Sequence, residues 1–391
     1  MTPPRVSLHL DLDAFFCAVE EIKDPTLRGK TFAVGGSPSG RGVVTSCSYP
    51  ARKKGVRSAM PAARALQLCP DLILVSRNHG DYSHYSRLVM DRLHSYTDQV
   101  EQISIDEAFL DITGLGPSPR EFGVQLQRAI LEELDLPNSI GIASNKLVAK
   151  IATDVGKMAA SGEGPPNAVT IVPAGEERAF LAPLPVDMLW GVGPKTKARL
   201  EVLGIQTIGD LAAFPEIDLA QKFGKHGYDL SRRSKGIGAG EIVTQREIKS
   251  VSNETTFSRD LGRKSELLDF INRLSRKVSS RLQKKNLRGK TIQIKLRWSD
   301  FTTLTRQTTL SQSTNDYEAI QKTAAELLDQ VWEEGRRARL IGVGVHNLDA
   351  EAQQLGLWDS GVQKDIKLQE TLHNLREKYG ENVISRGLNT S

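Results

Sequence analysis

Four carboxylates are the residues of this chain best suited to act together in a reaction: Asp11, Asp13, Asp106 and Glu107. Carboxylates that converge on one point repel one another unless cations lie between them, and such hard oxygen ligands select Mg²⁺ or Mn²⁺ over zinc. Two such ions can hold the attacking and leaving oxygens of an in-line phosphoryl transfer. For any one acid, a solvated strand end or a helix cap is the commoner role. The set together favours a metal site.

Strand-like runs predict that these acids lie at one edge of a sheet. Apolar and polar residues alternate over 6–13, which is typical of a half-buried strand whose polar face ends in two acids. Residues 100–105 and 108–112 predict two further strands, with Asp106 and Glu107 in their tight connection. Because adjacent residues of a regular strand point to opposite faces, both acids reach one site only if the chain turns there.

Composition indicates a soluble, intracellular, multidomain protein. The 391 residues suffice for two to four domains, and 39% apolar with 25% charged residues is ordinary for a globular chain. No apolar run approaches the ~20 residues of a membrane span, and the N-terminus lacks the apolar core of a signal peptide. The cysteines Cys17, Cys47 and Cys69 have neither metal-ligand spacing nor the even number of a disulfide framework. We therefore expect a cytoplasmic protein with no membrane partner.

The positive charge is concentrated towards the C-terminus. Residues 241–348 contain 20 Lys and Arg against 13 Asp and Glu, whereas the whole chain carries a net charge of only +5. A basic module attached to a near-neutral body is typical of a nucleic-acid-binding domain, although a solvated charged face explains the charge alone equally well.

Three motifs in this order resemble those of Y-family DNA polymerases, and the DinB branch is the most similar. They are Asp-Leu-Asp-Ala-Phe-Phe at 11–16, Tyr-Pro-Ala-Arg at 49–52 and Ser-Ile-Asp-Glu-Ala at 104–108. The similarity extends from about residue 5 to 348. It implies template-directed addition of dNTPs to a primer 3′-OH, low-fidelity translesion synthesis and no proofreading exonuclease.

The resemblance also implies an α+β multidomain fold, the right-hand polymerase. Its parts are a ferredoxin-like palm, here a mixed sheet with helices on one face, small fingers, an all-helical thumb and a ferredoxin-like little finger. The implied boundaries are 1–24 and 79–165 for the palm, 25–78 for the fingers, 166–236 for a helix–hairpin–helix-like thumb, 237–244 for a linker, 245–348 for the little finger and 349–391 for a tail. Within this scheme, the basic and Gly-rich stretch 232–240 is interpreted as an interdomain tether.

For the metals, the resemblance implies two Mg²⁺ ions, with Mn²⁺ as an alternative. Asp11, Asp106 and Glu107 would hold the ion at the primer 3′-OH. Asp11, Asp106 and the carbonyl of Leu12 would hold the ion at the triphosphate. Asp13 is the acid whose part is least defined, and orienting its neighbours is the alternative to metal contact.

For the nucleotide, the resemblance implies a set of contacts around Phe16, the steric gate that excludes a ribose 2′-OH. Ordinary core packing is the alternative for Phe16, and a solvated helix charge for Arg52. The chain departs from the common Lys-Pro-Asn-Gly pattern after Lys157, so the loop geometry there is open. The implied dNTP contacts are Phe15, Phe16, Thr45, Ser46, Tyr49, Arg52 and Lys157.

Further contacts are implied with DNA and with a bacterial sliding clamp. A helix–hairpin–helix turn supplies Gly191, Gly193 and Lys195, for which a plain turn between helices is the alternative. The outward face of a strand supplies Lys295 and Arg297. The clamp-binding peptide consists of Gln354, Leu355, Leu357 and Trp358.

The expected partners are primer–template DNA, a dNTP and the clamp, and the expected state is a nucleoid-associated monomer. Two other functions stay open from the sequence. A different palm enzyme, such as a nucleotide cyclase, leaves the hairpin turn, the basic module and the clamp peptide unexplained. A catalytically inactive polymerase relative acting as a clamp-bound scaffold leaves the metal-site acids unexplained.

Overall fold

The computed structural model describes residues 4–160, 164–238 and 240–350. The described residues form two compact units: the first runs to Glu247 and includes Thr256–Arg259, and the second comprises Ile248–Thr255 and residues 260–350. Within the described ranges, every helix is too short or too polar to cross a bilayer.

A five-stranded sheet forms the centre of the first unit. Its order is β5-β6-β1-β7-β8, in which β1 pairs antiparallel with both neighbours and β8 runs parallel to β7. The strands are β1 (Ser7–Leu12), β5 (Val100–Gln102), β6 (Glu107–Asp111), β7 (Asn138–Ala143) and β8 (Val169–Ile171). The predicted first strand and the predicted strand pair are confirmed. Strand β8 lies beyond residue 165, so the sheet includes residues that the sequence assigns to the thumb.

Helices cover both faces of this sheet, and the prediction of helices on one face is wrong. The helices concerned are α1 (Phe15–Lys23), α4 (His79–His94), α5 (Pro119–Leu134) and α6 (Lys146–Ala159). Helices α1, α4 and α5 share a core with Leu8, Leu10 and Ile140, whereas α6 packs on the opposite face against β1 and β7. The polar face of β1 is therefore covered as well, and Ser7 and His9 are fully buried.

The fingers region contains a three-stranded sheet and two short helices. The sheet order is β3-β2-β4. The elements are β2 (Phe32–Gly35), β3 (Val44–Cys47), α2 (Tyr49–Lys53), α3 (Ala62–Leu68) and β4 (Ile73–Ser76). A small separate core of Ala33, Val44, Cys47 and Val56 holds them together.

Five helices follow the palm, as the sequence predicts for a thumb. They are α7 (Glu177–Leu181), α8 (Pro194–Glu201), α9 (Ile208–Ala213), α10 (Glu216–Phe223) and α11 (Lys225–Ser234). Pro194 begins α8, where its missing N–H costs no hydrogen bond. The interpretation of 232–240 as a tether is wrong at its start, because Arg232–Ser234 form the last turn of α11.

The tether after α11 is fastened to the palm by a buried carboxylate. Glu101, only 2% exposed, forms an ion pair with Lys146 (2.7 Å) and accepts hydrogen bonds from the Val243 amide (2.9 Å) and from Arg246. Burial opposes the charge on Glu101, but these three donors together lower its pKa. This part of the tether is therefore bound to the palm through Glu101.

The second unit has the predicted element order of strand, helix, strand, strand, helix, strand. The elements are β9 (Ser250–Leu261), α12 (Lys264–Lys284), β10 (Leu287–Trp298), β11 (Thr303–Thr314), α13 (Tyr317–Asp329) and β12 (Ala338–Ala350). Their sheet order is β11-β10-β12-β9. Along β10 the residues Ile292, Ile294, Leu296 and Trp298 are buried, as their period of two predicts.

Candidate active site

The register of two strands brings Asp11 and Glu107 side by side. Asp11 of β1 lies directly opposite Glu107 of β6, and opposite residues of an antiparallel pair project from the same face. Asp106 lies in the turn before β6, and its carbonyl accepts a hydrogen bond from the Leu12 amide (3.0 Å). The chain bends over residues 104–106, so Asp106 lies in the connection as predicted, but Glu107 is already the first residue of β6.

The hydroxyl of Ser104 shapes that turn. It accepts a hydrogen bond from the Glu107 amide (2.9 Å) and donates one to Oδ1 of Asp106 (2.5 Å). Ser104 belongs to the motif that the sequence singles out, but its part in orienting Asp106 was missed. A Ser two residues before an Asp is a common turn signal and could have indicated it.

Asp13 is buried among protein donors. It is 0% exposed, and it accepts hydrogen bonds from the Ser139 hydroxyl (2.9 Å) and the Asn167 amide (3.1 Å), while Lys157 Nζ lies 2.9 Å from its Oδ1. These contacts occupy both carboxylate oxygens. Among these contacts, the ion pair with Lys157 links Asp13 to the cavity lining.

Two lysines of α6 neutralise the acids that face the sheet edge. Lys157 Nζ lies 2.7 Å from Oδ1 of Asp11, and Lys150 Nζ lies 2.8 Å from Oε1 of Glu107. Burial raises the pKa of Glu107, Lys150 opposes the rise, and the neighbouring Asp11 adds to it. Burial lowers the pKa of Lys157, but Asp11 and Asp13 outweigh burial and raise it overall. Lys157 is therefore held charged against Asp11 and Asp13.

A cavity of about 310 Å³ opens beside these acids. It brings together nine residues that the sequence assigns to metal or nucleotide and adds Ala14, Ser58 and Asp154. The nine are Asp11, Leu12, Phe15, Phe16, Thr45, Ser46, Arg52, Asp106 and Lys157. Glu107 and Tyr49 are not among the residues that line it. Burial raises the pKa of Asp154, a residue that sequence reasoning missed.

The ring of Phe16 is held at the cavity by Tyr82. Ala14 has left-handed backbone angles (φ 49°), and this turn begins α1 directly after β1. Phe16 stacks on Tyr82 with ring centroids 4.2 Å apart and planes at 15°. The Tyr82 hydroxyl donates to Glu20 (2.6 Å), which is also buried. No spacing in the sequence connects Tyr82 with Phe16, so this support was missed.

Arg52 reaches the cavity from the first turn of the fingers helix α2. Its guanidinium lies 4.8 Å from the Tyr49 ring centroid, and its Nε donates to the Cys47 carbonyl (3.1 Å). Burial raises the pKa of Tyr49, so its phenol stays a neutral hydrogen-bond donor. The pair lies on one side of the helix, as the spacing of three predicts.

The donor set fits a hard cation in chemistry, but the carboxylates do not form a closed cage. Within residues 4–160, 164–238 and 240–350, no three acid, imidazole or thiol side chains lie close enough together to hold a metal ion as they stand. Lys157 and Lys150 contact one oxygen each of Asp11 and Glu107. Hard oxygen ligands suit Mg²⁺ or Mn²⁺, and among the described residues the second oxygen of each carboxylate has no lysine contact.

The residues predicted to contact DNA lie apart from the cavity lining. Gly191, with φ 104°, and Gly193 precede α8, and Lys195 is exposed on that helix. In the second unit, Lys295 forms an ion pair with Glu254 (2.9 Å), and Arg297 donates to the Thr303 hydroxyl (2.8 Å). The predicted clamp peptide, with Gln354, Leu355, Leu357 and Trp358, lies outside the described residues.

Comparison with known proteins decides the family. Residues 10–154 match the impB/mucB/samB family, residues 248–357 match the C-terminal domain of that family, and residues 174–205 match the IMS family HHH motif. A protein named DNA polymerase IV from Dehalococcoides mccartyi (strain CBDB1) is 39% identical over 387 residues, which cover 98% of this chain and 97% of that protein. The chain belongs to the Y family of DNA polymerases. It is a DNA-directed DNA polymerase, and the family depends on metal ions.

Other Y-family members agree with this assignment. DNA polymerase IV of Bacillus velezensis (strain DSM 23117 / BGSC 10A6 / LMG 26770 / FZB42) is 38% identical, over 98% of this chain and 92% of that protein. A solved Y-family chimera of Dbh and Dpo4 matches with a TM-score of 0.76 and 26% identity, covering 88% of this chain and 98% of the other. An insertion ternary complex of Dbh DNA polymerase matches with a TM-score of 0.62 and 27% identity over the same shares. The α+β multidomain right-hand fold is thereby confirmed.

Proposed function

We propose that this polymerase adds dNTPs to a primer 3′-OH with two Mg²⁺ ions held by Asp11, Asp106, Glu107 and the Leu12 carbonyl. The observation that carries this proposal is the opposition of Asp11 and Glu107 across β1 and β6, with Asp106 lining the same cavity as the nucleotide residues. Bound ions would make the primer hydroxyl a better nucleophile and neutralise the leaving pyrophosphate. Mn²⁺ has the same ligand preference and is the alternative ion.

The chain's own cations position the triphosphate in this proposal. Lys157 leaves Asp11 for the phosphates while Asp13 keeps its ammonium near the cavity. Arg52 offers a guanidinium suited to two phosphate oxygens, and Tyr49 adds a neutral phenol donor beside it. Thr45 and Ser46 of β3 line the cavity where the nascent base pair would lie.

Phe16 excludes ribonucleotides by volume in this proposal, with Phe15 packed behind it. The stacked ring of Tyr82 prevents Phe16 from turning away when a 2′-OH approaches. We expect the wild type to extend a primer with dNTPs and Mg²⁺ but not with rNTPs. Phe16→Ala should also accept rNTPs, because the space of the ring is vacated and the hydroxyl meets no clash.

Primer extension on an undamaged template, with dNTPs and rNTPs offered separately, measures this discrimination. Phe301→Ala is a matched control, because Phe301 is a largely exposed phenylalanine of the second unit, and it should behave as the wild type. If Phe16→Ala rejects rNTPs as strongly as the wild type, Phe16 is not the gate.

We further propose that synthesis is of low fidelity, bypasses damaged templates and lacks proofreading. The small fingers support this, because among the described residues only Thr45, Ser46, Arg52 and Ser58 of the fingers line the cavity, which leaves few contacts to test base-pair shape. Insertion opposite a template abasic site, and extension from mismatched primers without their removal, should both be detectable. Removal of a mismatched 3′ nucleotide would contradict the proposal.

The proposed partners are primer–template DNA, a dNTP and a sliding clamp, for a monomer that works at the nucleoid. The ternary complex of Dbh supports the first two. The clamp rests on the sequence Gln-Leu-Gly-Leu-Trp at 354–358. A purified bacterial clamp should bind the wild type but not the Leu357→Ala, Trp358→Ala double variant, and equal binding would contradict the assignment.

A further inference from the structure

One face of α6 carries a row of lysines that matches a row of acids on the sheet. Lys146, Lys150 and Lys157 follow at spacings of four and seven, so they share one side of the helix. Their partners are Glu101, Glu107 and the pair Asp11 and Asp13. The first pair fastens the tether and the third has a proposed part at the triphosphate. The middle pair, Lys150 with Glu107, has no function in the account so far.

Lys150 contacts one oxygen of Glu107 at the edge of the cavity. Its Nζ lies 2.8 Å from Oε1, and the two side chains are only 15% and 23% exposed. Asp11 lies directly opposite Glu107 across β1 and β6, and Asp106 lies in the turn immediately before it. The positive charge of Lys150 therefore compensates the negative charges of these neighbouring acids, and its contact fixes the orientation of the Glu107 carboxylate.

We propose that Lys150 is a positioning residue of the polymerase reaction. It binds Oε1 of Glu107 and leaves Oε2 for a metal ion. Before the nucleotide arrives, its positive charge weakens the binding of divalent cations. This inference rests on the proposed metal site. In the nucleotide-free protein, the ammonium of Lys150 repels a cation held by Glu107 and Asp11. When the dNTP enters, the triphosphate supplies negative charge that compensates this repulsion, so full occupancy of the site is coupled to substrate.

Lys146 shows what a purely structural pair looks like on the same helix. Its carboxylate partner Glu101 is 2% exposed and receives two further donors from the tether. Lys150 and Glu107 are more exposed and lie beside the catalytic acids. A role for Lys150 limited to holding α6 on the sheet would affect stability but leave metal affinity unchanged.

The test measures metal binding without catalysis. Mn²⁺ alone is titrated into DNA-free and nucleotide-free protein, and free Mn²⁺ is followed by electron paramagnetic resonance. Lys150→Met should bind Mn²⁺ about tenfold more tightly, because one positive charge within a few ångströms of the ion is lost. Its extension rate at saturating Mg²⁺ and dNTP should fall roughly 10–100-fold, because Glu107 is no longer oriented.

Two further variants separate the charge of Lys150 from its hydrogen bond. Lys150→Arg keeps the charge and should stay within about threefold of the wild-type Mn²⁺ affinity. Lys150→Gln keeps a donor to Glu107 but loses the charge, so it should bind Mn²⁺ more tightly with a smaller loss of rate. Lys54→Met is the control, because Lys54 pairs with Asp71 (2.6 Å) outside the cavity. Its Mn²⁺ affinity and its extension rate should both equal those of the wild type.

Unchanged or weaker Mn²⁺ binding by folded Lys150→Met and Lys150→Gln overturns the inference. If Lys150→Met does not fold, Lys150→Gln and Lys150→Arg decide on the same criterion. Failure of the proposed function is a separate result: the wild type and Lys54→Met would then extend no primer with Mg²⁺, whatever the Mn²⁺ titration shows.

Discussion

His9 lies on the face of β1 that carries the catalytic acids, and α6 packs over it and buries it. It is 0% exposed, its Nδ1 lies 2.9 Å from the Thr153 hydroxyl, and its ring centroid is 4.7 Å from that of Phe109. Burial, with smaller effects of Lys150 and Lys157, lowers the pKa of His9 well below 6.5. The folded protein therefore keeps His9 neutral where the unfolded chain takes up a proton.

We expect His9 to make the protein less stable in mild acid. Above about pH 7 neither state protonates it, so it leaves the free energy of unfolding unchanged. Below 6.5 only the unfolded state gains the proton, and stability falls by up to about 1.4 kcal/mol per pH unit. Urea unfolding at pH 7.5 and 5.5 should show the wild type losing about 1 kcal/mol more than His9→Gln. Equal losses in the two proteins would show that His9 is protonated in the folded state.

At the scale of single residues, the resemblance to the family predicted nine of the cavity residues but not what holds them in place. Asp11, Phe16 and Arg52 each lie in a short motif, so the resemblance to the family was enough to predict that they share one site. Tyr82 and Lys150 act through contacts between elements distant in sequence, and no spacing along one strand or helix reveals such pairs. Asp13 could not be assigned from sequence because its three donors come from three different segments.

At the scale of elements, α6 is the helix on which the site depends. The Asn145 side chain caps its first turn by accepting from the Val148 amide (3.2 Å), and the helix then crosses β7 at Gly141. A Cβ atom on Gly141 would overlap the Ala149 carbonyl oxygen and lie 2.5 Å from the Thr153 amide nitrogen. Only glycine at position 141 allows α6 to lie this close to β7. This close packing brings Lys150 and Lys157 into contact with the acids.

Gly141→Ala should therefore impair both stability and synthesis. The overlap is with backbone, which cannot turn aside, so α6 must shift at a cost of about 3 kcal/mol or more in unfolding free energy. Primer extension should fall as Lys157 and Lys150 move with the helix. Gly164→Ala is the control, because a Cβ there meets no described atom within 4 Å. Wild-type stability and extension in Gly141→Ala would show that α6 does not depend on this close approach.

Sequence periodicity predicted most elements of this chain and missed one layer of the palm. The alternation over 6–13 indicated a strand with one polar face, which was expected to meet solvent. Helix α6 covers that face, where the Thr153 hydroxyl lies 2.9 Å from Nδ1 of His9, and a strand's own pattern cannot show a contact between such distant segments. Strand β8 was missed because three residues are too few for a period of two, and their pairing with β7 is tertiary.

At the scale of the whole molecule, residues 241–348 carry an excess of basic side chains. On the outward face of the sheet, that positive charge is partly neutralised. Lys295 is paired with Glu254, whereas Arg297 contacts the neutral hydroxyl of Thr303. Thr291, which the alternation along β10 places on the same face as Lys295 and Arg297, is only 3% exposed, and its hydroxyl contacts Thr309 and Asn347. Charge counting along a sequence cannot distinguish a free cation from a paired one.

We expect these differences to appear in the salt dependence of DNA binding. Arg297→Gln should reduce the slope of log affinity against log salt by about 1, the value for one phosphate contact. Lys295→Gln should reduce it less, because Glu254 already compensates its charge. Lys322→Gln, exposed on α13, is the control and should leave the slope unchanged. Fluorescence anisotropy of labelled primer–template measures the slopes, and an unchanged slope for Arg297→Gln would remove that residue from the interface.

The most direct measurement compares wild type with Asp106→Ala in two assays on one primer–template. The account predicts that the variant binds DNA within about threefold of the wild type, because Asp106 contacts metal rather than DNA, yet gives no detectable extension with Mg²⁺ or Mn²⁺. Asp300→Ala, an exposed acid of the second unit, should match the wild type in both assays. Wild-type-like extension by Asp106→Ala would contradict the metal site. Binding without extension by the wild type itself would favour the scaffold alternative.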